Sequence, residues 1–330
     1  MIGSSAPASI ETLAAIWARV LERPLNPNDN FFDLGGTPAS AERLFLEIAS
    51  ACGRELPSVF IYAAPTIEAM ARLLEQPQPL RVPPVLPLAS GAQAPPLFLA
   101  PGIGDTVLGL FDFVKRLQID RAIYGLQPRG VDGVDQSIAT VEGLAQYHLD
   151  AILSVQPHGP YLLAGYSQGG LVALEVARSL AARGERIALL AMVDSYPDRR
   201  FLPFGARLRF DWVQTKRRIS ERLGRLQRRG SAHSADDDVV APPTIAAALQ
   251  RVKQAQYKAL RAYAPRYYDG VVQFIKPEHP SYFPEDPTPV WKPLVRKFDL
   301  EVVPGDHLQM MTVHAAEVAA AVSRMIRTAG

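Results

Sequence analysis

A single cysteine, Cys52, stands among 330 residues. No internal disulfide can form, so packing has to hold the fold, and a small core position is where such a thiol is expected. Long apolar runs are missing too. Stretches such as Ala188 to Val193 fall far short of the ~20 residues needed to cross a bilayer. The opening residues, MIGSSAPASIE, have neither the basic nor the apolar region of a secretory signal, so a cytoplasmic protein without a membrane partner is expected. Net charge is nearly absent at +2, which argues against nucleic acid as a partner, and no metal site is expected. That small sum conceals an asymmetry. Eleven Lys or Arg face two acids, Asp211 and Glu221, between Arg199 and Arg229, whereas residues 1–78 hold nine Asp or Glu against five Arg.

What is present is an ordinary globular composition, 48% hydrophobic, at a length that suits one large domain with or without a small one. Seven prolines between Gln76 and Pro96 forbid a helix and favour an extended connector. The expected division is therefore 1–78, a linker over 79–95, and 96–330. In the first part Ile10, Leu13, Ala14, Trp17 and Leu21 recur at helical spacing, then Ala41, Leu44, Phe45 and Ile48, and Thr66 caps IEAMARLLE. The last part alternates. Short apolar strands are predicted at 96–100, 122–126, 161–165, 187–194, 271–276 and 300–303, separated by helical patterns and closed by a helix over 315–328. That order predicts an α/β fold with a mostly parallel sheet covered on both faces. The interval from Pro197 to about Tyr263 shows helical patterns without a strand and reads as an insertion above the sheet.

Gly165-Tyr166-Ser167-Gln168-Gly169-Gly170 lies between a predicted strand and a predicted helix, the setting of a nucleophile elbow. Side chains at the flanking glycines would collide with neighbouring backbone. A serine there is either a nucleophile or a helix cap, and the surrounding strand order favours the nucleophile. A hydroxyl needs a base, and the base an orienting acid. Of six histidines, His307 in VVPGDHLQM follows a strand and precedes the last helix; His148, His158, His233, His279 and His314 read as surface residues. Asp194 ends the strand IALLAMVD on the sheet edge that carries the elbow, with Glu278, just past VVQFIK, as its rival. Asp306 reads as a turn residue. Two backbone N–H groups are needed for an oxyanion. Gln168, directly after the serine, is one candidate, and Ile103, in the loop Pro101-Gly102-Ile103-Gly104-Asp105, is the other.

Taken together, PLFLAPGIGD, YGLQPRG, VQPHGPYLLAGYSQGGLVALEVAR, LLAMVDSYP and VPGDHLQMM resemble the type I thioesterase domains that end nonribosomal peptide and polyketide assembly lines. The resemblance covers most of residues 95–328 and implies an α/β-hydrolase fold. It carries the nucleophile onto Ser167, the base onto His307, the acid onto Asp194 rather than Glu278, and a lid onto about 199–263. Pro101 departs from the histidine that many members have in the oxyanion loop.

The first 75 residues resemble a four-helix peptidyl or acyl carrier domain, through LAAIWARVLERPLNPNDNFFDLGG and PSVFIYAAPTIEAMARLL. In that family the stretch matching Phe31 to Gly36 is followed by a variable residue and then the serine that receives 4'-phosphopantetheine. Here those positions are Thr37 and Pro38. Thr37 suits a helix cap and proline a first helical position, but proline has no hydroxyl. A carrier-like domain with no cofactor of its own is the expectation, the pantetheine thioester arriving on a carrier protein, a synthetase or CoA in trans. The implied activity is release of an acyl or peptidyl chain by hydrolysis, transfer or cyclisation in secondary metabolism. The competing reading is a docking module joined to a general esterase acting on oxygen esters. The basic run 216–229 is expected either as a surface for an acidic carrier or as a solvated helix face.

Overall fold

The computed structural model describes residues 9–202, 204–205, 207–208, 242–279 and 283–329. Most of the basic run, including all of 216–229, and most of the expected lid therefore lie outside the described residues, as does His233.

The N-terminal part is helical. Helix α1 (Ile10–Leu21) is capped by Ser9, and its apolar stripe of Leu13, Ile16, Trp17 and Val20 is buried. Helix α2 (Pro38–Cys52) opens with a capping box, in which Thr37 Oγ1 accepts from the Ser40 N–H and Ser40 Oγ accepts from the Thr37 N–H. Pro38 fills the first helical position, where a missing N–H leaves nothing unsatisfied. A 3-10 turn (Ser58–Tyr62) and helix α3 (Ile67–Glu75), capped by Thr66, complete the four helical elements. Trp17 and Phe31 meet edge to face at 5.4 Å in the centre, and Cys52 is buried at the end of α2.

The remainder is built on seven strands: β1 (Val85–Ala89), β2 (Gln93–Ala100), β3 (Arg121–Leu126), β4 (Tyr161–Tyr166), β5 (Ile187–Val193), β6 (Tyr268–Pro277) and β7 (Val295–Val303). Their order is β1-β3-β2-β4-β5-β6-β7, with β1 antiparallel to β3 and every other pairing parallel. The stretch 79–95, expected as a connector, supplies β1 and the first residues of β2. An edge strand can hold Pro87 because proline's missing N–H is harmless on a side with no partner strand.

Alternation along the strands serves two cores. Leu97, Leu99, Leu162 and Ala164 point to one, which continues without a break into the buried residues of α1, α2 and α3. Phe98, Ala100, Leu163 and Leu190 point to the other, under α5 (Val141–Val155) and α6 (Gln168–Ala182). The two parts of the chain also meet through aromatic rings. Phe32 stacks on Tyr62 at 4.7 Å and on Phe111 at 5.7 Å, and Phe111 begins α4 (Phe111–Arg116) of the second part.

Within the expected lid, the described secondary structure includes a short 3-10 turn (Arg199–Phe201), helical residues at 204–205 and 207–208, and a 20-residue helix, α7 (Pro243–Ala262). The far end of α7 is tied to α6: the Tyr263 hydroxyl donates to buried Glu175 at 2.8 Å, and Arg178 and Arg266 donate to the same carboxylate at 2.9 and 3.0 Å. A short helix, α8 (Thr288–Trp291), follows, and α9 (Ala315–Thr328) closes the fold.

One histidine departs from expectation. His148 on α5 is 3% exposed rather than on the surface. It donates to the Pro84 carbonyl, and burial pushes its pKa down to about 4.

Candidate active site

Ser167 sits between β4 and α6 with φ 54° and ψ −122°, a positive φ that is rare for a residue with a side chain. Its N–H donates to Val193 at 2.8 Å, fastening the turn to the end of β5. Its side chain makes no capping hydrogen bond to α6, so it is not serving as a helix cap. The flanking glycines are required by space. A Cβ on Gly165 would fall on the backbone of Gly169, one on Gly169 on the carbonyl of Ala100, and one on Gly170 on the Ser195 hydroxyl. This backbone arrangement presents Ser167 at the C-terminal edge of a parallel sheet, where such folds collect their chemistry.

Asp194 follows the last residue of β5, with φ 43° and 2% exposure. Its N–H continues the ladder to the Ile275 carbonyl at 2.8 Å. Its neighbour Ser195 is held by the indole of Trp291, which donates to the Ser195 carbonyl at 3.0 Å. His307 comes from the loop after β7, and its Nδ1 lies 2.7 Å from Asp194 Oδ2. Against a carboxylate, Nδ1 carries the proton and donates it, which leaves Nε2 as the free base of the ring. Burial pushes the Asp194 carboxyl up, and the imidazole and Lys276 pull it the other way. The carboxylate partner of His307 is thus Asp194. Glu278 is exposed after β6, with its N–H bonded to the Val303 carbonyl. Asp306 accepts from the N–H groups of Leu308 and Gln309, the local turn expected of it.

The loop after β2 faces the start of α6. Of its five residues, Pro101 has no N–H, Asp105 donates to Gly102 at 3.3 Å, and Gly104 donates to Gln256 Oε1 on α7 at 2.7 Å. Among the described residues, the N–H groups of this loop without a hydrogen-bond acceptor are those of Gly102 and Ile103.

Several residues of the site escape sequence reasoning. Tyr166, the variable residue before the serine, stacks on the His307 ring at 4.9 Å, and its hydroxyl donates to the His307 carbonyl at 2.6 Å. Phe283 meets the same imidazole edge on at 5.3 Å and stacks on Tyr196 at 4.5 Å. Gln256 is the third. Tyr166 lies inside the motif and was available to inspection; the other two come from segments whose contacts only the tertiary fold reveals.

At the carrier-like end, Pro38 occupies the helix start and Ser40 is engaged with Thr37. These residues do not fit covalent attachment of 4'-phosphopantetheine at that position: a pyrrolidine ring offers no oxygen for the phosphodiester.

A doubly wound sheet with a serine elbow, a histidine loop after the last strand and an aspartate beyond β5 defines an α/β-hydrolase. Residues 95–326 match the family profile described as the thioesterase domain, and the chain belongs to that family. Residues 11–74 match the profile of the phosphopantetheine attachment site, the carrier family. Among curated proteins, malpibaldin synthetase of Mortierella alpina is 37% identical over 193 residues, 56% of this chain and 3% of that protein. The dimodular nonribosomal peptide synthase of Bacillus subtilis (strain 168) is 36% identical over 195 residues, 58% of this chain and 8% of that protein. The chain thus spans a small fraction of the length of these relatives. Among solved structures, the holo form of the four-domain nonribosomal peptide synthetase AB3403, bound to AMP and glycine, aligns over 98% of this chain and 26% of its own, with a TM-score of 0.58 and 21% identity, a likeness of fold.

Proposed function

We propose that the chain releases an acyl or peptidyl group from a thioester through a covalent intermediate on Ser167, in the manner of the thioesterase domains to which it is related. The observation that carries this reading is the 2.7 Å Asp194–His307 pair on the same sheet edge as a serine held at positive φ with no capping role. His307 Nε2 takes the Ser167 proton as Oγ attacks the thioester carbonyl. The tetrahedral oxyanion is met by the Gln168 N–H, at the positive end of α6, and by the Ile103 N–H. Collapse breaks the C–S bond, and the thiol leaves with the proton returned by His307. Water, or a nucleophile on the chain itself, then takes the acyl group by the same steps in reverse. Asp194 holds the ring in the Nδ1–H tautomer and stabilises the imidazolium.

Within this reading residues 1–78 are a carrier-like domain, 79–95 the connection and 96–330 the catalytic part. The domain carries no pantetheine at Pro38, so the acyl thioester comes in trans, on a carrier protein, a synthetase or CoA. The test is Ser167→Ala assayed on an acyl thioester and its matched oxygen ester. Loss of thioester turnover, together with an acyl adduct on wild-type Ser167 by intact mass, supports the reading. Full activity of the variant refutes it, and a preference for the oxygen ester would make the enzyme a general esterase.

A further inference from the structure

Helix α7 buries one stripe of residues at helical spacing: Ile245, Ala248, Val252, Gln256 and Ala259. Four are apolar and one is a glutamine that is 4% exposed. A buried amide is costly unless its hydrogen bonds are made. Here the amide oxygen is used on the loop beside Ile103, and the main-chain carbonyl of the same residue reaches the residue after Ser167. The Gln256 Oε1 accepts from the Gly104 N–H at 2.7 Å, and the Gln256 carbonyl accepts from the Gln168 side-chain Nε2 at 2.7 Å. One turn of α7 therefore grips both the residue after Ile103 and the residue after Ser167. The loop is seated closely as well: Gly104 turns at φ +79°, and a Cβ there would lie 2.9 Å from the Lys253 stem.

The opposite end of the same helix rests on the carrier-like domain. The Thr244 hydroxyl donates to the Glu55 carboxylate. Ile245 and Leu249 share the wall of a small cavity, about 70 Å³, with Phe45, Leu56, Thr106 and Leu108. Phe45 and Leu56 belong to the N-terminal part, and Thr106 and Leu108 continue the loop that holds Ile103 and Gly104.

We propose that the Gln256 side chain is a positioning group for the loop that carries the Ile103 donor, and that the carrier-like domain braces the helix that holds it there. The domain then serves the reaction as a rigid support in place of an acyl arm. This rests on the reading of Gln168 and Ile103 as donors to an acylating Ser167.

The experiment compares Gln256→Leu, which removes the acceptor at similar volume, with Gln256→Glu, which keeps an acceptor oxygen, in the full chain on a short acyl thioester. Active sites are titrated with a fluorophosphonate so that misfolded protein does not count. Losing a donor outright costs roughly 10²- to 10³-fold in kcat, and misplacing one should cost less, about tenfold or more, with KM changed less than about twofold. Gln256→Glu should recover most of kcat. An unchanged kcat in Gln256→Leu, a loss confined to KM, or a Glu variant as slow as the Leu variant overturns the positioning role. Leu249→Ala tests the brace: it should lower kcat in the wild type and add little in the Gln256→Leu background. Additive losses overturn the brace. Ser167→Ala separates the two levels, since activity surviving there sinks the acyl-enzyme reading itself, whereas activity lost there but kept in Gln256→Leu sinks only this inference.

Discussion

Tyr166 holds His307 from two directions, with its ring stacked on the imidazole at 4.9 Å and its hydroxyl bonded to the His307 carbonyl at 2.6 Å. The residue before the proposed nucleophile thereby fixes the loop of the proposed base. Tyr166→Phe keeps the stacking and deletes a hydrogen bond of about 1 kcal/mol, so kcat/KM should fall about fivefold with the fold intact. Steady-state kinetics beside a thermal melt checks this; an unchanged kcat/KM would show that stacking alone holds the loop.

Asp194→Asn keeps the shape of the side chain and reverses what Nδ1 faces, because an amide N–H₂ can turn a donor to the ring. The wrong tautomer then leaves Nε2 protonated. By analogy with serine hydrolases, kcat should fall by roughly 10⁴ while KM moves little. Glu278→Gln, at the exposed carboxylate after β6, should leave kcat near the wild-type value; the opposite pattern would transfer the acid's role.

His148 gives the fold an acid-sensitive point. Its pKa is lowered from 6.5 to about 4 by burial, so the folded state prefers the neutral ring. Stability from this group is complete above about pH 6.5 and is lost as pH falls toward 4, by about 3 kcal/mol in all. His148→Met should flatten that part of the pH profile, read as the difference in urea midpoints between about pH 7 and pH 4.5 relative to wild type. Parallel profiles for the two proteins would rule this out.

Incubation with a promiscuous phosphopantetheinyl transferase and CoA should leave the wild-type mass unchanged, since Pro38 has no hydroxyl and Ser40 is occupied with the cap of α2. Pro38→Ser should gain one arm. An adduct on the wild-type domain would contradict the reading.

How much of this was legible beforehand depends on the kind of signal. Ser167, Asp194 and His307 sit at the ends of apolar strands, so local pattern leads to them. β1 was hidden because Val85 to Ala89 lies among prolines, which argue against a strand unless it is at an edge with its N–H groups unused. β7 begins earlier than its apolar LEVV suggests, because Arg296 and Lys297 on that opposite edge face solvent. His148 and Gln256 are hard to read from sequence for one reason: a polar residue on an apolar helical stripe looks exposed until its buried partner, Pro84 or Gly104, is known.

The strand hidden among the prolines also limits travel. Helix α3 ends at Glu75 and β1 begins at Val85, so nine residues join the last carrier-like helix to the sheet. Fully stretched, that leash spans roughly 33 Å. Part of it is already pinned, with Leu80 and Val82 buried and the Val82 N–H bonded to Asp132 at 3.0 Å. A carrier that shuttles between distant stations needs slack, and this one is moored on a short line beside the site it adjoins.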